Sequence, residues 1–374
     1  MDLSYTDEQN LLRDSLQRFI DSSYDINHRN KLTSTEEGFS RENWQQYADL
    51  GWLAMSFSEE DGGIGGTPVD TQVMMEEFGK GLVVEPFLAS IVMAGTAISE
   101  AGSDAQKEAL IPGLIDGSLI ATVAIAEPDT HQESERINMT ATLKDGEYIL
   151  SGQKAVVLSA QSANQIIVAA RTSGQDADHD GISFFIVAAD SKGLSRKDFP
   201  TVDGLRASDL TFDNVQIPVD SLLGEEGQGY PLLTKILNRA ILALSAEAVG
   251  AMEVLYKDTI AYTKQREQFD HALSDFQVLK HRMTEMFVEY SLAKSLTLKA
   301  TMLETQGSED TQRTIHALKY LIGKTSRFVA QNAVQLHGGM GMTEELRVAH
   351  YFKRLTVIDA MFGNTDYHLE RFVG

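Results

Sequence analysis

The sequence predicts an α+β protein arranged as a helical segment, an antiparallel β-segment and a helical bundle, in that order along the chain. Two changes of period carry this reading. Apolar residues recur at helical spacing up to residue 118, give way to short β-branched runs over 119–225, and return to helical spacing over 226–374. A third observation selects the kind of sheet: the β-branched runs follow one another through turn signals with no helical pattern between them, which fits hairpins and not parallel crossovers. The domains expected are therefore 1–118, 119–225 and 226–374.

Near the start, Thr6 is followed three residues on by Gln9, with Leu12, Leu16, Phe19 and Ile20 at helical spacing, so a capped amphipathic helix is expected. Helical patterns continue through Glu42–Leu50, Thr71–Phe78, Pro86–Ala101 and Asp104–Ile115. Between the second and third lies Asp61-Gly-Gly-Ile-Gly-Gly-Thr67. A dinucleotide-binding loop needs a strand before its glycines, a helix directly after them and G-x-G-x-x-G spacing. This stretch lies between helical segments and lacks that spacing, and a turn is expected.

Strand signals follow at Leu119–Ala126, Tyr148–Ser151, Ala155–Ser159, Gln165–Ala170, Ile182–Ala188, Asp209–Phe212 and Val215–Pro218, punctuated by Asp145-Gly146, Gly152, Asp180-Gly181 and Asp213-Asn214. From Pro231 one helix is expected to run to about Gln265. The next carries Phe276, Leu279, Met283, Met286 and Tyr290, a seam that packs against other helices. A third should span Thr311 to His337, where Gly338-Gly339 ends it.

Composition excludes several classes of function. The 54 acidic and 32 basic side chains leave a formal charge of −22, which repels phosphate backbones and anionic headgroups, so neither nucleic acid nor membrane insertion is expected. Without cysteine there is no disulfide, thiolate nucleophile, iron-sulfur cluster or cysteine-ligated zinc. His281, His316, His350 and His368 show no metal-ligand spacing with nearby carboxylates, and no metal is expected. No apolar run of about 20 residues occurs, and the start, MDLSYTDEQNLLRD, is acidic, so a cytoplasmic protein is the expectation.

Three places could carry chemistry. In Ala240–Met252, AILALSAEAVGAM, Ser245 and Glu247 are the only polar side chains. Desolvation makes such a carboxylate a candidate general base, and an ion pair with a cation of a neighbouring helix explains it equally well. In His337-Gly-Gly-Met-Gly-Met-Thr343, backbone amides could approach a diphosphate, or the glycines could simply stop a helix and form a tight turn. In Lys264-Gln-Arg-Glu-Gln-Phe269, Arg266 could bond a phosphate and Phe269 cover a planar ring, or the basic residues could serve a helix carboxyl terminus.

Taken together, Phe57-Ser-Glu-Glu-Asp-Gly-Gly63, Ile125-Ala-Glu-Pro128, Gly152-Gln-Lys154, Arg266-Glu-Gln-Phe269, Phe276-Gln277 with Leu279, and Gln335-Leu-His-Gly-Gly-Met-Gly341 stand in the order and spacing of one family. The chain resembles the acyl-CoA dehydrogenases over nearly its whole length. That resemblance implies FAD held between the β-domain and the bundle and shared with a neighbouring subunit, in a homo- or hetero-tetramer built as a dimer of dimers. It implies an acyl-CoA substrate, and an electron-transfer flavoprotein or similar acceptor. Carried over residue by residue, it assigns FAD contacts to Ala126, Glu127, Leu158, Ser159, Arg266, Phe269, Gln335, Gly338, Gly339 and Thr365.

The resemblance also locates departures. Most members place a catalytic glutamate just before a Gly-Thr near the carboxyl end, where this chain reads Met361-Phe-Gly-Asn-Thr365. The AEAVGAM segment resembles the branch acting on bulky or carboxylated acyl groups, including steroid side chains and pimeloyl-CoA, in which the base lies on the bundle helix. Glu247 is then the expected base, with Glu127 and Asp366 as the remaining carboxylates near the flavin-site segments. The family's Trp-x-Thr over the flavin is Val156-Val157-Leu158 here, and its serine-containing stretch after Glu-Pro is Asp129-Thr-His-Gln-Glu-Ser134. Such losses also fit a noncatalytic subunit whose partner completes the site, and a flavin oxidase or monooxygenase on the same fold is a third reading.

Overall fold

The computed structural model of the chain describes residues 5–130 and 133–374, so His131 and Gln132 of the Asp129–Ser134 stretch lie outside the described residues. By packing, the chain forms two compact units. One gathers 1–31, 68–83 and 241–374, and the other gathers 32–67 and 84–240.

The first unit is helical. Helix α1 (Asp7–Ser23) opens with the expected capping box, Thr6 and Gln9 exchanging side-chain and backbone hydrogen bonds, and buries Leu16 and Phe19. Helix α2 (Ile26–Thr33), of weak amphipathic pattern, was not signalled by the sequence. Helix α3 (Arg41–Asp49) belongs to the second unit. Helix α4 (Pro68–Gly81) buries every residue from Gln72 to Gly79 and crosses the long helix that follows the β-segment. At that crossing a Cβ on Gly79 would lie 2.0 Å from the Glu247 carbonyl oxygen, and one on Gly250 would lie 1.9 Å from that of Glu76. Only paired glycines let the two backbones touch.

In the second unit, a wide π-helical stretch (Leu88–Gly95) runs into α5 (Thr96–Ala101), followed by α6 (Asp104–Ile115). The sheet has strands β1 (Ala121–Ala124), β2 (Thr140–Lys144), β3 (Glu147–Leu158), β4 (Gln165–Arg171), β5 (Ile182–Ala188), β6 (Leu194–Pro200), β7 (Arg206–Pro218) and β8 (Leu222–Leu223). They run in the order β6-β7-β3-β2-β4-β5-β8, with β1 beside β4. The runs Tyr148–Ser151 and Ala155–Ser159 prove to be one strand, β3, that slips register against β7 between Leu150 and Gly152 and again between Lys154 and Val157. Pairing is antiparallel with one correction: β1 lies parallel to β4, and β2 meets β4 in parallel at Thr140 and Arg171. Some forty residues separate β1 from β4, long enough for a crossover that a hairpin reading does not anticipate. The Asp61–Thr67 glycines form a tight turn closed by backbone bonds such as Gly63 to Ser58 and Gly65 to Phe57.

Helix α7 (Tyr230–Gln265) follows, then a two-stranded hairpin of β9 (Glu267–Gln268) and β10 (His271–Ala272). Helices α8 (Gln277–Thr305), α9 (Thr311–His337), α10 (Arg347–Ala360) and α11 (Thr365–Val373) complete the first unit, α9 packing against the other three. Met283, Met286 and Tyr290 of the α8 seam are buried within it, whereas Val278, Phe287, Val288 and Leu292 are exposed. Gly338, at φ 62°, ends α9 as expected.

Candidate active site and cofactor contacts

Glu247 lies on α7 in a run where every residue from Ala240 to Met252 is buried. Its partner is Arg354 of α10: Nε donates to Oε1 at 2.5 Å and Nη2 to Oε2 at 2.7 Å, a two-pronged pair with both side chains all but excluded from solvent. Of the two readings the sequence left open, the ion pair is therefore present. Arg354 was not singled out, because it sits 107 residues away. The guanidinium uses one lone pair on each carboxylate oxygen and leaves the other. Its Nη1 lies 4.0 Å from Met361 Sδ, which sets the pair beside the Met361–Thr365 turn.

That turn is held from two sides. Buried Lys319 of α9 donates to the carbonyls of Asp359 (2.9 Å) and Gly363 (2.7 Å), and desolvation pushes its ammonium down to about 8. The Thr365 hydroxyl donates to Asp359 Oδ1 at 2.6 Å, and a Cβ on Gly323 would collide with both. Phe362, in the position of the family's usual glutamate, has a left-handed backbone at φ 54°, and its carbonyl accepts from His368 Nε2 at 2.9 Å. Since a carbonyl only accepts, His368 carries its proton on Nε2. His316 Nδ1, 2.9 Å from His368 Nδ1, is then the donor between the rings, and Gln312 donates to His316 Nε2 at 3.2 Å. Burial pushes His368 down to about 3. Asp366, on the first turn of α11, is exposed.

In the second unit, Glu127 is buried and accepts from the amides of Asn138 (2.8 Å) and Met139 (3.0 Å) and from Lys154 Nζ (2.7 Å). The Ala-Glu-Pro and Gly-Gln-Lys motifs are thus two halves of one buried ion pair, and what Glu127 can offer a cofactor is its backbone. Desolvation lowers Lys154 to about 8. Ala126 is exposed, its carbonyl accepting from Ala155 N–H at 2.8 Å. Val156 has φ 53° and is half exposed, a costly conformation for a β-branched residue, fixed by the β3 irregularity and by its N–H donating to Asp209 Oδ1 at 3.1 Å. Leu158 gives its carbonyl to the Thr122 hydroxyl at 2.7 Å, and Ser159, at φ 53°, ends the strand.

The sequence reading missed Glu85, a buried carboxylate of this unit that accepts from Asn43 Nδ2 at 2.9 Å and Tyr47 Oη at 3.3 Å. The available signal was Asn43 and Tyr47 four residues apart on α3.

At the far end of α7, Arg266, Phe269 and Gln335 are all exposed; Phe269, 85% accessible at φ 57°, caps the hairpin. Tyr262 stacks on His337 with ring centres 4.3 Å apart, and so brings the end of α7 against the end of α9. Arg266 and Phe269 thereby join Gln335, Gly338 and Gly339, and a Cβ on either glycine would meet nothing within 4 Å. Thr365 stands apart from them, packed at Gly323, twelve residues or about 18 Å earlier along α9. Among the described residues no group of three His, Cys, Asp or Glu is placed to hold a metal, and no helix is long and apolar enough to cross a membrane.

Family models describing the amino-terminal, middle and carboxyl-terminal domains of acyl-CoA dehydrogenases match residues 6–118, 122–215 and 227–373. The chain is 30% identical over 310 residues to acyl-CoA dehydrogenase FadE12 of Mycobacterium tuberculosis, covering 82% of this chain and 80% of that one. A solved variant of the steroid ACAD Tcur3481-Tcur3483 superposes with a TM-score of 0.89 at 27% identity, over 98% of this chain and 96% of its own. The structure of PigA with FAD and proline gives 0.92 at 26% identity, over 100% and 98%.

Proposed function

Because the chain belongs to the acyl-CoA dehydrogenase family, we propose that it removes hydrogen across the α,β-bond of an acyl-CoA thioester, with FAD as cofactor and Glu247 as the base. The residues on hand fit that cofactor. Arg266 offers an exposed guanidinium for a diphosphate, the open backbone of Gly338 and Gly339 offers amides, and exposed Phe269 offers an apolar face to a planar ring. Bound FAD supplies the acceptor for the hydride that leaves the β-carbon.

The chain's own contribution to the chemistry is the proton. Glu247 takes it from the α-carbon: the C–H bond breaks, an O–H bond forms on a carboxylate lone pair that Arg354 leaves open, and the electron pair moves toward the thioester. The observation that carries this reading is the position of the Glu247–Arg354 pair beside Met361–Thr365, the turn that bears the base in most of the family and bears Phe362 here. The steroid dehydrogenase among the similar structures supports a bulky acyl group. In this reading Arg266 and Phe269 contact FAD, and Gln335, Gly338 and Gly339 contact the FAD of an adjacent chain, within a dimer of dimers.

The test is Glu247→Gln. Anaerobic bleaching of the flavin by an accepted acyl-CoA should slow by roughly 10²–10⁴ while flavin content holds; normal bleaching removes Glu247 as the base. A second reading, a noncatalytic subunit that completes a related chain's FAD site, is favoured by Leu158, which brings no hydroxyl to the flavin. The visible spectrum of the chain purified alone separates the two, since a subunit of that kind comes out colourless.

A further inference from the structure

Arg354 does more at Glu247 than a charge anywhere nearby would do. It comes from a different helix, is buried with its partner, and grips both carboxylate oxygens, at 2.5 and 2.7 Å. Resting on the reading of Glu247 as the base, we propose that Arg354 is the positioning residue for proton transfer, holding the Glu247 carboxylate turned so that its remaining lone pairs face the substrate's α-carbon.

A carboxyl group in an apolar interior favours its neutral form, in which it accepts no proton, so a buried base needs a cation to stay competent. A fork that bonds both oxygens also fixes the carboxylate plane, which a single contact leaves free to rotate. Finally, several charged groups on the elements packed around α7 have partners of their own. On α4, Glu76 lies 3.4 Å from Lys294 of α8 and Glu77 2.7 Å from Lys80. On α7 itself Glu253 lies 2.5 Å from Lys257, and Asp258 2.6 Å from Arg347 of α10. On α9, Lys319 bonds the carbonyls of Asp359 and Gly363, and Arg327 bonds the Asp359 carboxylate. Ser245, the other polar side chain of the run, is neutral, and its buried hydroxyl has no partner among the described residues. Among the described residues, the ion-pair partner of Glu247 is Arg354.

Proton transfer can be read without oxidation. An acyl-CoA thioether with sulfur at the β-position and deuterium at the α-carbon has no β-hydride to give, so the loaded enzyme can only exchange its α-deuteron with water: the C–D bond breaks, O–D forms on Glu247, and the carbanion recovers a proton from the solvent-exchanged acid. Washout is followed by mass spectrometry beside the dissociation constant of the same thioether. Arg354→Gln should slow washout at least tenfold with affinity unchanged, and Arg354→Lys, which restores charge without the fork, should fall between Gln and the parent. Washout within twofold of the parent in Arg354→Gln, with Glu247→Gln inactive, overturns the inference and leaves Glu247 as the base. Parallel losses of washout and affinity overturn it in favour of a structural role. Normal washout in Glu247→Gln overturns the base itself. Should Arg354→Gln fail to fold, Arg354→Lys decides by the same criteria: slower washout at unchanged affinity supports positioning, and parental washout overturns it.

Discussion

Lys154 and Glu127 show what a buried pair demands when one member is taken away. Lys154→Met leaves Glu127 with two amide donors and without the cation bonded to it, and stability measured by urea unfolding should fall by about 3–5 kcal/mol. A second residue-scale expectation concerns acid. His368 is pushed down to about 3 by burial, while the unfolded chain titrates near the ordinary histidine value of about 6.5, so the unfolded state binds the extra proton first. The contribution of His368 is therefore complete above pH 6.5 and is lost progressively as pH falls from there toward 3. Buried His337 and His350 are shifted in the same direction. Melting temperatures should drop between pH 7 and 5, and His368→Gln should flatten part of that slope. Glu247 was legible in the sequence because a lone carboxylate among alanines and leucines needs an explanation wherever it lies. Arg354, His316 and Glu85 were not, since the partner that gives each its meaning comes from a remote part of the chain and no local pattern encodes it.

Periodicity carried the elements further than it carried their pairing. Helices α7 and α9 were readable almost to their ends, because the apolar stripe and a terminal glycine or polar run mark both limits. Strand β6 escaped because an edge strand reading Leu-Ser-Arg-Lys-Asp-Phe-Pro wears the charges that protect an edge. The long strands β3 and β7 were each read as two, since their irregularities interrupt the alternation. The crossing of α4 and α7 was equally silent, because a glycine on each helix looks like a weak point until the two are seen together. There, Gly79→Ala or Gly250→Ala drives a methyl group into a backbone carbonyl that cannot rotate away. Each should destabilise the protein by about 1–3 kcal/mol or more in urea unfolding. Gly79→Ala also presses on the carbonyl of Glu247 itself, so it should slow bleaching even where the fold survives.

For the molecule as a whole, the proposed FAD site needs residues from more than one chain, and flavin content becomes a function of assembly. Arg266→Ala and dilution below the subunit dissociation constant should each release flavin, followed by loss of visible absorbance on gel filtration; an isolated monomer that keeps its full flavin would count against the shared site. The exposed apolar residues of α8, Val278, Phe287, Val288 and Leu292, are the surface from which light scattering of a tetramer would be explained, and the buried seam beside them is not. The order in which the ribosome delivers the chain adds a last consequence. Because one packing unit draws on 1–31, 68–83 and 241–374, α1 and α4 emerge long before α7 and α8, against which α4 packs, exist. The unit closed by 240 can condense while synthesis continues, whereas α1 and α4 can pair with each other but the face of α4 that meets α7 and α8 must wait for those helices. A premature stop after residue 240 should thus yield a β-rich core trailing unfolded helices, a preferred client for chaperones and proteases.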